Sequence, residues 1–577
     1  MNNRQISDIF SHIADILEIK DENVFRIRAY RTAAQNVLNL SQELADIYQR
    51  DPSEIGNIPG IGKDLKEKIV EMIETGKLKY FNDMMKEFSP GFLDMLNLAG
   101  LGPKKLKKLR EELGIENVDD LRKACEKGQL ENIEGMGAKT QEKLLEAIGH
   151  YKKREGRMLL PEASEYADEI INYLGKSKNF KKLEKAGSLR RGRETIGDLD
   201  ILAVAADSKK AMDHFVDFPE VDSVIAKGST KSSVKLKNGP QVDLRVIEAG
   251  RFGAALQYFT GSKEHNVKVR KIAKAKGYKV NEYGVFSVGK TGKERMVAGK
   301  TEEEVYKKLG MEYIPPELRE NRGEVEGAME GNLPKKLLDI KDIKGDLHMH
   351  TNESDGNNSI EEMAKYAKKK GYEYIGITEH SKLVRVANGL DEKRLLKHIE
   401  RIKKADKKVK GIKILTGVEV DILPDGKLDI KDYVLKELDI VIAAIHTRFK
   451  MSRKDQTDRV LKAMDNKYVN ALAHPSGRLI TTRTPIQVDF DKIFKRAAES
   501  NICMEVNTHG ERMDLNDVHC KRAKEIGAKF LISSDAHSLE QLDKLGFGVI
   551  TARRGWVEKR DVINTMPLDK VRKALKR

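Results

Sequence analysis

The stretch GSLRRGRETIGDLDILAVA (187–205) decides how the middle of this chain is read. Its second half runs acid, apolar, acid and then apolar without a break, the pattern of a strand entering a core. Side chains two apart on a strand share a face, so Asp198 and Asp200 project together. A neighbouring strand-like run, PQVDLRVI (240–247), offers Asp243 as a third carboxylate. Three such groups can hold two hard divalent cations together with triphosphate oxygens, the arrangement that in-line nucleotidyl transfer requires. The first half of the stretch is a glycine turn in which the Ser188 hydroxyl and the Arg191 guanidinium supply phosphate donors. A lone Asp-x-Asp most often just caps a strand; here the turn and the third aspartate accompany it.

Charge is unevenly placed around this segment. Residues 251–300 carry twelve Lys or Arg against three acids, whereas 51–100 carry six against nine. The basic residues of KVRKIAKAKGYKV (268–280) recur at helical spacing, either a solvated helix face or a surface for a polyanion. The chain as a whole has 577 residues and a net charge of +16, with 34% charged and 39% hydrophobic residues, which excludes a disordered chain and a single small module. Nucleic acid is the first partner to consider. Cys125, Cys503 and Cys520 are scattered, leaving neither a disulfide framework nor a thiolate zinc cage. The N-terminus MNNRQISDIF lacks the apolar core of a signal peptide and no run of 18 apolar residues occurs, so a cytoplasmic protein without a membrane partner is expected.

The first 150 residues read as short helices with a threefold internal repeat: IPGIGKDLKEKI (58–69), LAGLGPKKLKKL (98–109) and IEGMGAKTQEKL (133–144). In each, two glycines (Gly60 and Gly62, Gly100 and Gly102, Gly135 and Gly137) precede a basic amphipathic helix. The glycines permit a tight turn and leave backbone N–H groups open at a helix N-terminus, where a phosphate is favoured. These repeats resemble helix-hairpin-helix modules, which grip nucleic-acid backbones without reading sequence.

GSLRRG, GDLD and VDLR together resemble the nucleotidyltransferase superfamily, and YFTGSKEHNVKVR (258–270) followed by NEYG (281–284) narrows this to DNA polymerase family X, over about residues 1–316. The resemblance implies that Asp198, Asp200 and Asp243 are the catalytic metal ligands, taking Mg²⁺ or Mn²⁺. It implies that Ser188, Arg191 and Gly197 bind the triphosphate and that Tyr258, Phe259 and Gly261 pack against the sugar. Asn266 and Arg270 fall where the family meets the incoming nucleotide and the template minor groove. Lys263 replaces an acidic residue near the incoming base, and Gln241 replaces an arginine beside the third aspartate. Lys68 aligns with the family's Schiff-base lysine for 5′-deoxyribose phosphate; a nucleophilic lysine must be partly neutral, and Lys63 and Lys66 are neighbours that can lower its pKa.

Beyond about residue 340, short apolar strands alternate with charged helices, the signature of a parallel barrel or sheet. Six histidines and three carboxylates stand mostly at strand ends: His348 and His350, Asp355, His380, Glu419, His446, His474, and Asp535 with His537. In a βα barrel these ends converge where the chemistry sits, and imidazole with carboxylate suits zinc, manganese or iron. The run DLHMHT, ITEH, GVEVD, AIHT, AHP and SDAH resembles the polymerase and histidinol phosphatase (PHP) superfamily. That pattern implies one ion on His348, His350, Glu419 and Asp535, a second shared by Glu419 with His446 and His474, and a third on Asp355, His380 and His537. Up to three Mn²⁺ or Zn²⁺ ions are thus expected, with phosphoester hydrolysis as the reaction.

The expected architecture is a multidomain α/β chain: a helical lyase-like domain with a helix-hairpin-helix (1–85), a helical DNA-binding subdomain with two more such motifs (86–154), a nucleotidyltransferase palm (155–256) and a nucleotide-selection subdomain (257–316), together the palm with thumb and fingers, then a linker (317–340) and a PHP (β/α)7-type barrel (341–577). The expected function is gap-filling DNA synthesis in base excision repair by a monomer acting on gapped or nicked duplex DNA and dNTPs. The barrel is expected to add 3′-5′ exonuclease, abasic-site endonuclease or 3′-phosphatase activity, and the N-terminus a lyase. The alternative is a PHP phosphoesterase whose N-terminal half only binds DNA ends.

Overall fold

A computed structural model describes the chain except for residues 2, 39, 41–43, 90–91, 99–100, 134–135, 138–139, 142–143, 146–147, 149–156, 238, 290–291, 481–482 and 576–577. It divides into two units, one built mainly from Met1–Arg157 and the other from Met158–Leu236 and Pro240–Arg577.

The first unit is helical because its apolar residues recur every three or four positions. In the helix Lys63–Thr75, Leu65, Ile69 and Met72 are buried along one stripe; in Pro103–Leu113 the buried pair is Leu106 and Leu109. Both stripes join a core that includes Phe10, Ile13 and Tyr30. Described residues of the three repeats make matching backbone hydrogen bonds. A turn closes from Ile61 N–H to the Ile58 carbonyl at 3.0 Å, from Leu101 to Leu98 at 3.1 Å, and from Met136 to Ile133 at 2.9 Å. The following helix opens with Lys66 N–H on the Gly62 carbonyl at 2.9 Å, Leu106 on Gly102 at 3.0 Å and Gln141 on Gly137 at 3.2 Å. No atom stands within 4 Å of where a Cβ would project from Gly62, Gly102 or Gly137, so the backbone there is approachable. Gly60 lies in the first of these turns; Gly100 and Gly135 fall outside the described residues.

The second unit begins with β1 (Met158–Leu159), which pairs with β3 (Thr195–Ile196). A five-stranded sheet follows, from β2 (Phe180–Lys185), β4 (Asp198–Ala205), β5 (Val221–Lys227), β6 (Lys231–Leu236) and β7 (Gln241–Val246) in the order β2-β4-β7-β6-β5. Strands β4 and β7 run parallel and the other neighbours antiparallel. The helices Leu160–Gly175 and Ser208–Val216 bury Ile170, Leu174, Met212 and Phe215 against this sheet.

A small antiparallel sheet, β8 (Tyr278–Asn281), β9 (Gly284–Val288) and β10 (Glu294–Ala298), packs with the helices Lys263–Ala275 and Glu302–Lys308. The stretch 317–340, expected to be a linker on its low apolar content, is in part core. Leu318, Val325, Ala328 and Leu333 join the buried cluster of this subdomain, and the charged Arg319, Glu320 and Glu324 are buried with them. Its charge is paired rather than solvated, as in the Arg319–Glu302 contact at 2.6 Å, which is why composition suggested exposure.

The remainder is a seven-stranded all-parallel sheet in sequential order: β11 (Gly345–Asp346), β12 (Tyr374–Ile377), β13 (Lys413–Asp421), β14 (Ile440–Ala444), β15 (Ala471–Leu472), β16 (Cys503–Asn507) and β17 (Lys529–Ser533). β12, β14 and β16 are buried throughout, as strands covered on both faces must be. Asp535 N–H meets the His348 carbonyl at 3.0 Å and His350 N–H the Ala536 carbonyl at 2.8 Å, drawing the last strand's end to the first's. The result is a nearly closed barrel.

In the helix Phe252–Thr260, Gly253 lies against the main chain of Thr301 so closely that a Cβ there would overlap it. Gly253→Ala is expected to cost about 1–3 kcal/mol, the usual range for overpacking, and to lower the calorimetric Tm. An unchanged Tm would contradict this packing.

Candidate active sites

In the five-stranded sheet, parallel pairing sets Asp200 opposite Asp243, with Asp198 two residues before Asp200 at the strand's exposed start. Three acids drawn together at one sheet end repel one another. The Asp200 carboxyl is pushed up to about 6, first by burial and then by the charges of Asp198 and Asp243, with Arg245 and Lys231 opposing. Asp243 is buried too, but Lys231 Nζ at 2.7 Å from its Oδ2 and Gln241 Nε2 donating to its Oδ1 at 3.0 Å hold it below the ordinary carboxylate range. The lysine ammonium thus stands where a cation is wanted, and an oxygen-only donor set of this kind fits a hard divalent ion.

The turn expected to bind phosphate lies against these acids at Gly187. Gly187 takes φ +60°, and a Cβ there would collide with the Asp200 carboxylate, so both its backbone and its surroundings call for glycine. Ser188 follows on the short helix Gly187–Arg190, and Gly197 is exposed beside Asp198. Arg191 donates from Nε to Glu320 Oε1 at 3.0 Å and from Nη1 to the Thr260 carbonyl at 2.5 Å. Gly261 packs on the same guanidinium, since a Cβ there would stand 3.2 Å from Nη1. The two segments singled out in the sequence for phosphate and sugar therefore meet at Arg191. Tyr258 and Phe259 contact edge to face at 5.2 Å between centroids. Asn266 donates to the Tyr258 carbonyl at 2.7 Å, and Arg270 Nε to the Asn266 carbonyl at 3.3 Å.

The barrel brings all nine of its expected ligands to one end. His350 Nε2 lies 3.3 Å from His348 Nε2 and 3.1 Å from Asp535 Oδ1. Glu419 Oε1 is 2.9 Å from His474 Nε2 and 3.4 Å from His446 Nε2. Asp355 is 3.3 Å from His537 Nε2 and 3.7 Å from His380 Nε2. Among the described residues, three groups have ligand atoms within 4.8 Å of one another: His350, Asp355, His380 and His537; His348, His350 and Asp535; His380, Glu419 and His446; the expected ligand His474 falls in none of them. His350 and His380 are each shared by two groups.

The donor chemistry fits metal ions. His380 Nδ1 and Glu419 Oε2 approach to 2.6 Å yet make no hydrogen bond, and both are buried, the geometry of two atoms aimed at a common cation. Burial, followed by the nearby His380 and His537, lowers His350 to about 4, so its imidazole is a neutral donor. Burial would also lower His446, but the Glu419 and Asp421 carboxylates outweigh it and raise the imidazole to about 10. Outer carboxylates orient the ring nitrogens: Glu505 Oε1 is 2.6 Å from His348 Nδ1, and Asp421 Oδ2 is 3.1 Å from His446 Nδ1. Neither was singled out in the sequence, although Asp421 stands two residues after Glu419 in GVEVD and Glu505 lies on strand β16; alternation along each strand was the available signal.

In the helical unit, Lys68 is largely buried. Its ammonium pairs with Asp64 one turn earlier and lies 5.2 Å from the Tyr80 ring centroid. The partner is thus an acid, in addition to the lysines that the sequence placed nearby.

Comparison with known proteins agrees with this architecture. Family models match for a helix-hairpin-helix domain (1–78), a SAM-like helix-hairpin-helix tandem (92–149), the DNA polymerase beta thumb (255–320) and the PHP domain (346–509). The "DNA polymerase/3'-5' exonuclease PolX" of Bacillus subtilis is 39% identical over 100% of both chains. DNA polymerase lambda of Rattus norvegicus is 27% identical over 54% of this chain and 56% of its own. A probable phosphatase of Thermoanaerobacter sp. strain X514 is 29% identical over 40% of this chain and 94% of its own. A polymerase beta-like half and a PHP half in one polypeptide define a class of metal-dependent enzymes with two sites. The chain belongs to DNA polymerase family X, in its PolX branch with a C-terminal PHP domain.

The raised Asp200 carboxyl predicts a stability effect. A group whose folded pKa exceeds its unfolded one stabilises the fold while protonated, and that contribution is lost as pH rises through the folded value, here about 6. Without divalent cations, Asp200→Asn is therefore expected to be more stable than the parent at pH 7.5 by roughly 1–3 kcal/mol, the gap closing towards pH 4. Equal Tm values at pH 7.5 would contradict the assigned repulsion.

Proposed function

We propose that this protein is a DNA-directed DNA polymerase that fills short gaps during base excision repair and trims 3′ ends with a second, PHP-type site. The observation that carries the reading is the pairing of Asp200 opposite Asp243 beneath the Gly187 turn, in the same unit as a barrel end where eight of the nine expected ligands fall into groups able to hold a metal ion. The full-length match to a relative described as both polymerase and exonuclease supports it.

At the first site Asp198, Asp200 and Asp243 would hold Mg²⁺ or Mn²⁺, which supplies activation of the primer hydroxyl and charge neutralisation on the leaving pyrophosphate. Ser188, Arg191 and Gly197 bind the triphosphate; Tyr258, Phe259 and Gly261 press on the sugar; Asn266 and Arg270 contact the nucleotide and the minor groove. Lys231, now paired with Asp243, occupies the side of the carboxylate on which such a cation would have to be held. In the barrel the nine ligands would hold up to three Mn²⁺ or Zn²⁺ ions, which supply a water-derived nucleophile and stabilise the departing oxygen. Glu505 and Asp421 fix His348 and His446 in their ligating orientation. The phosphatase relative matching the barrel half favours 3′-phosphatase action beside exonuclease and abasic-site cleavage.

The glycine turns at Gly60, Gly62, Gly100, Gly102, Gly135 and Gly137 clamp the backbone of gapped or nicked duplex DNA, with dNTPs as co-substrate. Lys68 serves as the Schiff-base nucleophile of a 5′-deoxyribose-phosphate lyase once Asp64 releases it. The domain limits given by the sequence are retained, except that 317–340 belongs in part to the polymerase core. The protein acts as a cytoplasmic monomer; among the described residues no helix is long and apolar enough to cross a membrane.

The two sites separate by mutation. Asp198→Ala should reduce incorporation on gapped DNA by at least about 100-fold and leave 3′ trimming within two-fold, and His348→Ala should do the reverse. Chelation should abolish both. Equal loss of both activities in either variant would contradict two independent sites.

A further inference from the structure

The turn that carries Ser188 and Arg191 does not rest on the polymerase half alone. Arg554 ends the helix Leu545–Arg554 in the barrel half. Its Nη1 donates to the Arg191 carbonyl at 2.5 Å and to Glu320 Oε1 at 3.0 Å, while Nη2 donates to Asp517 Oδ2 at 2.6 Å. Glu320 Oε1 is also the acceptor for Arg191 Nε, and its Oε2 lies 3.7 Å from Arg193 Nη1. Asp517 in turn accepts from Arg322 Nη1 at 3.0 Å. On the far side of the turn, Glu194 Oε2 accepts from Arg478 Nη2 at 2.6 Å. Gly192, which closes the turn at φ +65°, lies against Ile550 of the same barrel helix with no room for a Cβ.

This arrangement is costly to bury and specific in shape. Arg554 is 3% exposed and Glu320 4% exposed. A guanidinium so placed is tolerated only when its donors meet acceptors, and its flat fork allows one residue to serve a carbonyl and two carboxylates at once. Buried ion networks of this kind add little net stability over an apolar contact, but they fix geometry. Here the geometry fixed is that of Arg191: Glu320 takes its Nε, the Thr260 carbonyl takes its Nη1, and Nη2 is used by neither bond. A guanidinium held at two of its three nitrogens keeps its plane, so a phosphate oxygen meets a donor already in place.

We propose that Arg554, a residue of the PHP half, is a positioning residue of the polymerase site: it holds the phosphate-binding turn by the Arg191 carbonyl and, through Glu320, sets the Arg191 guanidinium for the incoming triphosphate. The barrel is then a structural part of nucleotide binding as well as a second active site. This inference rests on the polymerase reading above.

The test uses the full-length protein and two variants. Arg554→Gln removes the fork and the charge; Arg554→Lys keeps the charge, removes the fork, and decides the matter if the first variant does not fold. The parent enzyme is first assayed for incorporation on gapped DNA; no incorporation there would refute the polymerase reading itself. Given an active parent, the dNTP KM is expected to rise about ten-fold in Arg554→Gln and by an intermediate factor in Arg554→Lys. The 3′-trimming kcat, measured on the same preparations, is expected to stay within about two-fold. A dNTP KM unchanged in a folded variant would overturn the proposal. So would a parallel fall of both activities, which would mark Arg554 as a part of the general fold.

Discussion

Glu419 is fully buried at the end of the barrel, and its carboxylate has five imidazoles around it: His348, His350, His380, His446 and His474, at 2.6 to 3.8 Å. A carboxylate withdrawn from water must be surrounded by positive charge or give up its own. Strand β13 places it there, and β11, β12, β14 and β15 carry the imidazoles to it. The remaining features of that end follow. Asp535 and Asp355 complete the charge balance, and Glu505 and Asp421 hold the rings from behind. The barrel is closed where His348 and His350 meet the strand that delivers Asp535.

The polymerase site solves a related problem with different ligands. Its carboxylates are oxygen donors only, drawn together by the parallel pairing of β4 and β7, and they are less enclosed. The proposed function, which requires a nucleotide and a primer to enter, is consistent with a site less sealed than the barrel end. The cost of the exposed repulsion is met locally by Lys231 and Gln241 on Asp243 and by the raised carboxyl of Asp200. On the proposed reading one centre would hold metal through hard oxygens and the other through mixed imidazole and carboxylate donors, a difference that suits different phosphoester chemistry in one chain.

Much of this was legible in the sequence wherever the chemistry requires a fixed spacing. The two-residue period of a strand put Asp198 and Asp200 on one face, and ligands at successive strand ends announced the barrel. The three glycine repeats announced one recurring turn, and their hydrogen bonds are alike. What escaped notice depends on partners far away in sequence. Nothing near Glu320 foretells that Arg191 and Arg554 share it, because the three are brought together by packing between distant segments. The same cause hid the core character of 317–340, whose many charges are paired inside. Lys68 has a partner that the quoted neighbours did not point to: helical geometry sets Asp64 against it, in addition to the nearby lysines.

Anomalous diffraction from crystals soaked in Mn²⁺ tests the central claim, that one chain builds two separate metal centres from these residues. The account predicts up to three peaks among the nine barrel ligands, shared through His350 and His380, and further density between Asp200 and Asp243 when a nucleotide is present. Peaks absent from either cluster, or bound outside both, would contradict it.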